Sequence, residues 1–346
     1  MTGAPGALDR PPATAGDLIG VDVGGTKIAA ARVTAEGTLR GRVHEVPTPA
    51  HAGPDAVLDA IAGLILSVSV GEAADGADGV GEGPAVPTAV GIGAAGVIDS
   101  RRGTVISATD AITGWAGTDI ATGVAKRLGA AGMHRPDGSV PPVHVDNDVN
   151  AYAAGEAWRG AGTDAASALV VAVGTGVGGA VILDGRVHHG AHFLAGEMGH
   201  MPAALAAGER CTCGRIGHLE AVAAGPQIAR RFCEATGAQD ITGALAVEQL
   251  ARCGDPDARR LYREAATALG QAIAGIVTVL DPDRVIISGG LARSGRLWWG
   301  PLRETLRHEL VDLVATDLQL VPAALGTTAP IIGAAHEAAL RLNRTE

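Results

Sequence analysis

Ser167-Ala-Leu-Val-Val-Ala-Val-Gly-Thr-Gly-Val-Gly-Gly-Ala-Val-Ile-Leu-Asp-Gly185 decides how this chain is read. Its first seven residues form an apolar, β-branched run of the kind that makes a buried strand. The glycines at 174–179 turn the chain, 180–183 carry it back, and Asp184-Gly185 signals a further hairpin. The stretch also fits the G-x-G-x-x-G pattern of dinucleotide-binding proteins. That pattern marks a pyrophosphate site only where it opens a helix. Here a short strand follows, so the dinucleotide reading fails on context.

The same plan stands near the start of the chain. Leu18-Ile-Gly-Val-Asp-Val23 reads as a strand, Gly24-Gly-Thr26 as a turn, and Lys27-Ile-Ala-Ala-Ala-Arg-Val33 as the returning strand. Two copies of one unusual arrangement imply two related α/β halves, each offering a glycine hairpin to a shared cleft. Asp22-Val-Gly-Gly-Thr-Lys27 sets a carboxylate, free amides, a hydroxyl and an ammonium within six residues. Backbone N–H groups in such a turn cradle anions. Thr26 and Lys27 add donors to a phosphate, and Asp22 can hold Mg²⁺ through water. An incidental charge on a tight hairpin is the weaker reading, because an Asp closing an apolar strand is costly unless used.

Between the hairpins, helical spacing appears at 55–70, and Thr88-Ala-Val-Gly-Ile-Gly-Ala-Ala-Gly-Val-Ile-Asp99 is a strand running into a glycine turn. Residues 71–87 carry no periodicity and read as a flexible surface insert. Beyond the second hairpin, helices are predicted at 220–236, 244–253, 257–280 and 333–342. Asp283-Arg-Val-Ile-Ile-Ser-Gly-Gly290 is a late strand and turn.

The chain has 346 residues, a hydrophobic fraction of 47%, aromatics at 2% and 51 glycines. That length suits two domains. Packing must rest on Ala, Val, Leu and Ile. A net charge of -10 with no basic stretch argues against a nucleic-acid partner. Residues 1–16 lack the apolar run of a secretory signal, and no segment is long and apolar enough to span a membrane. The expectation is a cytoplasmic protein with reduced cysteines. His200, Cys211, Cys213 and His218 then stand out as H-x10-C-x-C-x4-H. Two thiolates and two imidazoles form a four-coordinate set of the kind structural zinc takes, with no position left for a catalytic water. Such a site fixes the loop carrying Glu197 and Glu220. His188, His189 and His192 are read as loop histidines.

These pieces together resemble the ROK family of sugar kinases and sugar-responsive repressors. The resemblance runs from about Leu18 to Leu340 and rests on Asp22-Val-Gly-Gly-Thr-Lys27, Asn147-Asp148, Gly174-Thr-Gly-Val-Gly-Gly179, Gly196-Glu-Met-Gly-His200 and Cys211-Thr-Cys-Gly-Arg-Ile-Gly-His-Leu-Glu220. It implies an actin-like (ribonuclease H-like) duplicated α/β fold, with ATP and sugar in the cleft between two domains. The expected division is a tail at 1–16, a small domain at 17–124 with the helix at 333–342 packing back on it, and a large domain at 125–332 holding the zinc loop. ATP and Mg²⁺ fall to Asp22, Gly24, Gly25, Thr26, Lys27, Gly174, Thr175, Gly176, Gly178, Gly289 and Gly290. Asp148 matches the family's catalytic base. Asn147, Glu197, His200 and Glu220 match sugar contacts, with Gly96 beside them. His200 would bind zinc through one ring nitrogen and a sugar hydroxyl through the other.

Three departures from the family pattern stand out. His218 replaces a third cysteine, Ala95 replaces a common proline, and the loop before Gly114-Trp115 lacks an Asn that often binds sugar, leaving Asp110 or Thr113 in its place. The expected reaction is transfer of the γ-phosphate of ATP to the 6-hydroxyl of a hexose or N-acetylhexosamine. Asp146 ahead of Asn147-Asp148 looks more like the family's N-acetylglucosamine kinases and leans the reading that way, with glucose next and N-acetylmannosamine behind. Helix capping is the competing role for Asp146 or Asp148. The family resemblance further implies a homodimer or homotetramer. A non-catalytic sugar sensor is the rival class, although a repressor needs an N-terminal DNA-binding domain for which 21 residues before Asp22 leave no room.

Overall fold

The computed structural model describes residues 16–70 and 86–342. In chain order the first elements are β1 (Leu18–Val23), β2 (Lys27–Val33), β3 (Leu39–Pro47), α1 (Pro54–Ser69), β4 (Val90–Ala94), β5 (Val97–Asp99) and β6 (Thr104–Ser107). Then come α2 (Ile120–Ala130), β7 (Val143–Asn147), α3 (Asp148–Arg159), β8 (Ala168–Val173), β9 (Val177–Leu183) and β10 (Arg186–Val187). The rest are α4 (Glu220–Ala223), α5 (Gly225–Thr236), α6 (Ala244–Cys253), α7 (Pro256–Leu280), β11 (Arg284–Ser288), α8 (Arg296–Glu309), α9 (Asp312–Asp317), β12 (Gln319–Pro322) and α10 (Ala329–Leu342). The tail and most of the insert expected at 71–87 lie outside the described residues. No described helix is long and apolar enough to cross a membrane.

The chain divides into two compact units. One comprises Met1–Asp164, Asp184–Leu194 and Ala324–Glu346; the other comprises Ala165–Leu183 and Ala195–Ala323. The sequence reading set its boundary at 124/125. The first unit runs on to Asp164 because β7 hydrogen-bonds to β4 and α3 follows β7 directly.

The first unit is built on a sheet ordered β3-β2-β1-β4-β7. β1 and β2 are antiparallel, as the glycine hairpin requires, while β4 joins β1 and β7 joins β4 in parallel. Val21, Ile28, Ile61, Ile65, Ile92 and Val145 fill the core on the side of α1 and α2. The opposite face is paved by glycines. A Cβ on Gly20 would lie 1.9 Å from Ile331 O, and one on Gly91 would lie 1.8 Å from Ala334 O. Glycine there lets α10 lie directly on the sheet backbone. α3 packs on α10 by the same device, since a Cβ on Gly333 would lie 1.8 Å from Ala151 O.

Glu156 of α3 is fully buried. It accepts hydrogen bonds from Ala161 N at 2.8 Å, Ala324 N at 3.0 Å and Leu325 N at 2.8 Å. A buried carboxylate is stable only with such donors. This one fastens the segment leading into α10.

In the second unit the sheet runs β9-β8-β11-β12, with β8 and β9 antiparallel and β11 parallel to both β8 and β12. The hairpin-plus-parallel-strands pattern of the first sheet is thus repeated. Leu169, Val171, Ile273, Ile287, Trp298 and Leu302 are among the residues of its core. The helix predicted at 220–236 is two helices. Pro226 has no N–H and is costly inside a helix but not in a first turn, and the chain extends at Ala224 (φ −73°, ψ 145°) before α5 begins with Pro226 in its first turn. The helix predicted at 333–342 starts earlier, at Ala329, with Pro330 in its first turn where its missing N–H costs nothing.

Candidate functional site

β1 ends at Asp22-Val23, and the first hairpin follows. Gly24 N donates to Lys27 O at 3.0 Å. Thr48 braces the turn from outside, its N donating to Thr26 O at 3.0 Å and its hydroxyl to Gly24 O at 2.7 Å. No sequence signal had marked Thr48. Burial pushes the Asp22 carboxyl up from 3.8 to about 6, opposed by the Lys27 charge and assisted by that of Glu45. Lys27 is ion-paired to Glu45 on β3 with both side chains half exposed. Such a pair is worth about 0–1 kcal/mol, little enough for Lys27 to be drawn to a phosphate.

β7 delivers Asp146, Asn147 and Asp148 to the start of α3. Asn147, not an aspartate, is the cap: its Oδ1 accepts from Val149 N at 2.9 Å and Asn150 N at 3.2 Å. Its amide donates to Gly96 O at 2.9 Å and to Asp148 Oδ1 at 2.9 Å, and Val149 N also donates to Asp148 Oδ1. Gly96 has φ 106°, a conformation suited to glycine. Gly96, Asn147 and Asp148 are therefore brought into one hydrogen-bonded group. Asp110 and Thr113 are exposed on the loop leading to Trp115, which is buried and donates from Nε1 to Ala95 O.

Asp146 has a different job from its neighbours. It is 1% exposed. Its Oδ1 accepts from Asn147 N at 2.7 Å and Asn150 Nδ2 at 3.0 Å, and its Oδ2 lies 2.6 Å from His189 Nε2. His189 is thus not a spare loop histidine, and the reason is the unmet need of a buried carboxylate for a donor. Burial raises the Asp146 carboxyl, but His189 and Asn150 outweigh it and hold the group below its usual range. Burial likewise lowers His189, while Asp146 more than restores it and leaves it raised.

In the second unit, Gly174 N donates to Gly176 O, and Gly225 N at the start of α5 donates to Gly174 O at 2.8 Å. Thr175 is exposed at the tip, with Gly176 and Gly178 half-buried. Gly289 and Gly290 arrive from β11. A Cβ on Gly289 (φ 90°) would lie 2.2 Å from Val173 O, so only glycine fits against the hairpin base.

His200, Cys211, Cys213 and His218 present ligand atoms all within 4.8 Å of one another. Cys211 Sγ lies 3.7 Å from His200 Nδ1, and Cys213 Sγ lies 3.2 Å from His218 Nδ1. Ligand distances of about 2.0–2.3 Å in a zinc tetrahedron put neighbouring donors at such separations, so the residues fit the ion and His218 can fill the missing cysteine's place. His200 turns Nδ1 to this group and Nε2 towards Glu197 Oε2, 4.0 Å away. Burial raises the Glu197 carboxyl, the His200 charge opposes it, and Glu220 adds to it. Glu220, at the start of α4, accepts from Val177 N at 3.0 Å and from the Thr212 hydroxyl.

Residues 18–339 match the ROK family, and the chain belongs to it. A glucokinase of Streptomyces coelicolor is 33% identical over 336 residues, covering 92% of this chain and 96% of that protein. An N-acetyl-D-glucosamine kinase of Citrobacter koseri is 30% identical, covering 79% of this chain and 84% of that protein. Among solved structures, a ROK hexokinase from Thermus thermophilus superposes with a TM-score of 0.79 at 31% identity, covering 95% of this chain and 99% of that one. A ROK glucokinase from Streptomyces griseus, in complex with glucose and AMPPNP, gives 0.73 at 32% identity, covering 93% and 99%.

Proposed function

We propose that the chain is an ATP-dependent sugar kinase that phosphorylates the 6-hydroxyl of a hexose on the actin-like duplicated fold. The arrangement that carries this reading is Asp148 at the head of α3, one carboxylate oxygen held by Asn147 Nδ2 and Val149 N. A sugar hydroxyl is a poor nucleophile at neutral pH and needs a fixed carboxylate to take its proton as the phosphoryl group arrives. Asn147 orients that carboxylate, and it is proposed to exchange one of its own hydrogen bonds for a neighbouring sugar hydroxyl when substrate binds.

Phosphoryl transfer asks the protein mainly for position and charge compensation. The amides and hydroxyls of 24–27 and 174–178 supply donors, and Asp22 is the carboxylate suited to Mg²⁺, which neutralises phosphate charge. Glu197, His200 and Glu220 are proposed to hold the sugar ring. Zinc held by His200, Cys211, Cys213 and His218 would give the loop a fixed shape and would supply no chemistry of its own.

The relatives named glucokinase span more of the chain than the N-acetylglucosamine kinase does, which supports glucose as the first substrate to try and N-acetylglucosamine as the second. The features that favour N-acetylglucosamine are Asp146, whose two oxygens are engaged by Asn147, Asn150 and His189 inside the first unit, and the altered loop before Gly114-Trp115. Release of ADP from ATP and Mg²⁺, measured with glucose, N-acetylglucosamine, N-acetylmannosamine or no sugar, tests the proposal. Sugar-stimulated turnover lost in Asp148→Asn supports it. Sugar binding with no stimulated turnover replaces the kinase with a sensor.

A further inference from the structure

A second group of metal-ligating side chains lies wholly within the first unit, apart from the cysteine loop. His144 and Asp146 alternate with Val145 on β7, so both project from one face of the sheet. Their register partners on β4 are Gly91 and Gly93. Gly91 meets the backbone of α10, so this is the glycine face that α10 covers. Glu337 descends from α10 onto it. The ligand atoms of His144, Asp146 and Glu337 lie within 4.8 Å of one another, and all three residues are buried.

The imidazole supplies the independent sign. His144 is 8% exposed, and its Nε2 is buried without a hydrogen-bond partner. Buried polar atoms are nearly always satisfied, so an orphaned ring nitrogen on a residue grouped with two buried carboxylates asks for a ligand. A cavity of about 90 Å³ lined by Arg186, Val187, His189, Glu337, Leu340 and Arg341 borders the group at Glu337 and His189.

We propose that His144, Asp146 and Glu337 bind a divalent transition-metal ion, with His189 as the outer partner that orients Asp146. One imidazole nitrogen among two carboxylates favours zinc, cobalt or nickel over magnesium or calcium, which prefer oxygen alone. Three protein donors leave a coordination position for water. Arg186 and Arg341 on its wall oppose a cation by charge, so the affinity is weaker than that of the thiolate loop. Occupancy ties β7 to α10. Asn147 and Asp148 follow Asp146 directly, so the ion steadies the strand end that carries them.

The test uses the full chain bearing Cys211→Ser and Cys213→Ser, which removes the thiolate loop, stripped with chelator and titrated with Co²⁺ or Zn²⁺. Binding is followed by calorimetry and by metal content after gel filtration. The expected result is one bound equivalent, a raised melting temperature, and Co²⁺ absorption without thiolate charge-transfer bands. Adding Glu337→Gln abolishes the equivalent, and His189→Gln weakens it about 10–100-fold, as loss of an outer-shell partner does. A protein with both cysteines intact checks that the double-serine chain is folded and should take up one equivalent more than its own Glu337→Gln variant. No bound equivalent in either background, or binding undiminished by Glu337→Gln, overturns the proposal. Neither result bears on the kinase reading, which is tested by ADP release.

Discussion

Glu220 holds the amide of Val177: Oε2 accepts its N–H at 3.0 Å, while Oε1 takes the hydroxyl of Thr212. Val177 belongs to the second glycine hairpin, and Thr212 lies between the two cysteines of the cysteine loop. One carboxylate thus links the loop to the hairpin inside a single unit. Glu220→Ala leaves the half-buried Val177 amide without its acceptor, at a cost of about 1–3 kcal/mol, and is expected to raise the KM for ATP as well as for sugar. Thr212→Val removes only the loop's grip and should cost about 0.5–1.5 kcal/mol. Steady-state kinetics with each substrate varied in turn, beside thermal melts, separates the two. A change confined to the sugar KM would show that the link to the hairpin carries nothing.

Asp148→Asn keeps the size of the side chain and an acceptor for Val149 N while removing the base. We expect kcat to fall about 10²–10⁴-fold with the melting temperature nearly unchanged. Asn147→Ala deletes the α3 cap and should cost about 1 kcal/mol, visible as a lower denaturation midpoint. A kcat of Asp148→Asn within threefold of the parent would exclude general-base catalysis by this residue.

The Asp22 carboxyl sets an acid limit. Its folded pKa is raised to about 6 from 3.8 by burial. Its contribution to stability is therefore complete below about 4 and is lost as pH rises through about 6, at most about 3 kcal/mol. Asp22→Asn should be more stable than the parent at pH 8 and little different at pH 4. Magnesium needs the ionised form, so kcat/KM for ATP should decline with unit slope below about pH 6. A profile flat from pH 7 to pH 5 would contradict a metal-facing role for Asp22.

Glu156 makes the sharpest stability prediction. Glu156→Ala strands the amides of Ala161, Ala324 and Leu325. The loss should exceed 3 kcal/mol, since each buried unsatisfied amide costs about 1–3 kcal/mol. Glu156→Gln retains an acceptor oxygen and should lose less than half as much. Urea denaturation monitored by tryptophan fluorescence measures both, and equal losses would mean that the charge matters and the hydrogen bonds do not.

The strands and glycine turns were legible because buried β-branched runs and hairpin glycines are local signals. The helix at 244–253 was read to the residue. The start of α10 was not, because Ala329 packs on Gly155 of α3, a contact that the local sequence does not show. Asp148 and the cysteine loop were visible as motifs, and their geometry fits the roles proposed for them. Thr48, His189 and Glu156 were invisible because each acts on a partner distant in sequence, and their residue types say nothing about which buried group they satisfy. His144 was silent for the same reason: its neighbour Glu337 is almost two hundred residues further on.

The glycine-paved sheet has a consequence for synthesis. All of the second unit, through Ala323, leaves the ribosome before α10. Until that helix emerges, the strands of the first unit wait with one face covered only in part, by α3, while an entire neighbour is made and can fold. A translation product ending near residue 328 keeps every residue proposed to touch ATP or sugar, yet it has no lid for that face. It should be handed to chaperones and proteases instead of accumulating as a truncated enzyme.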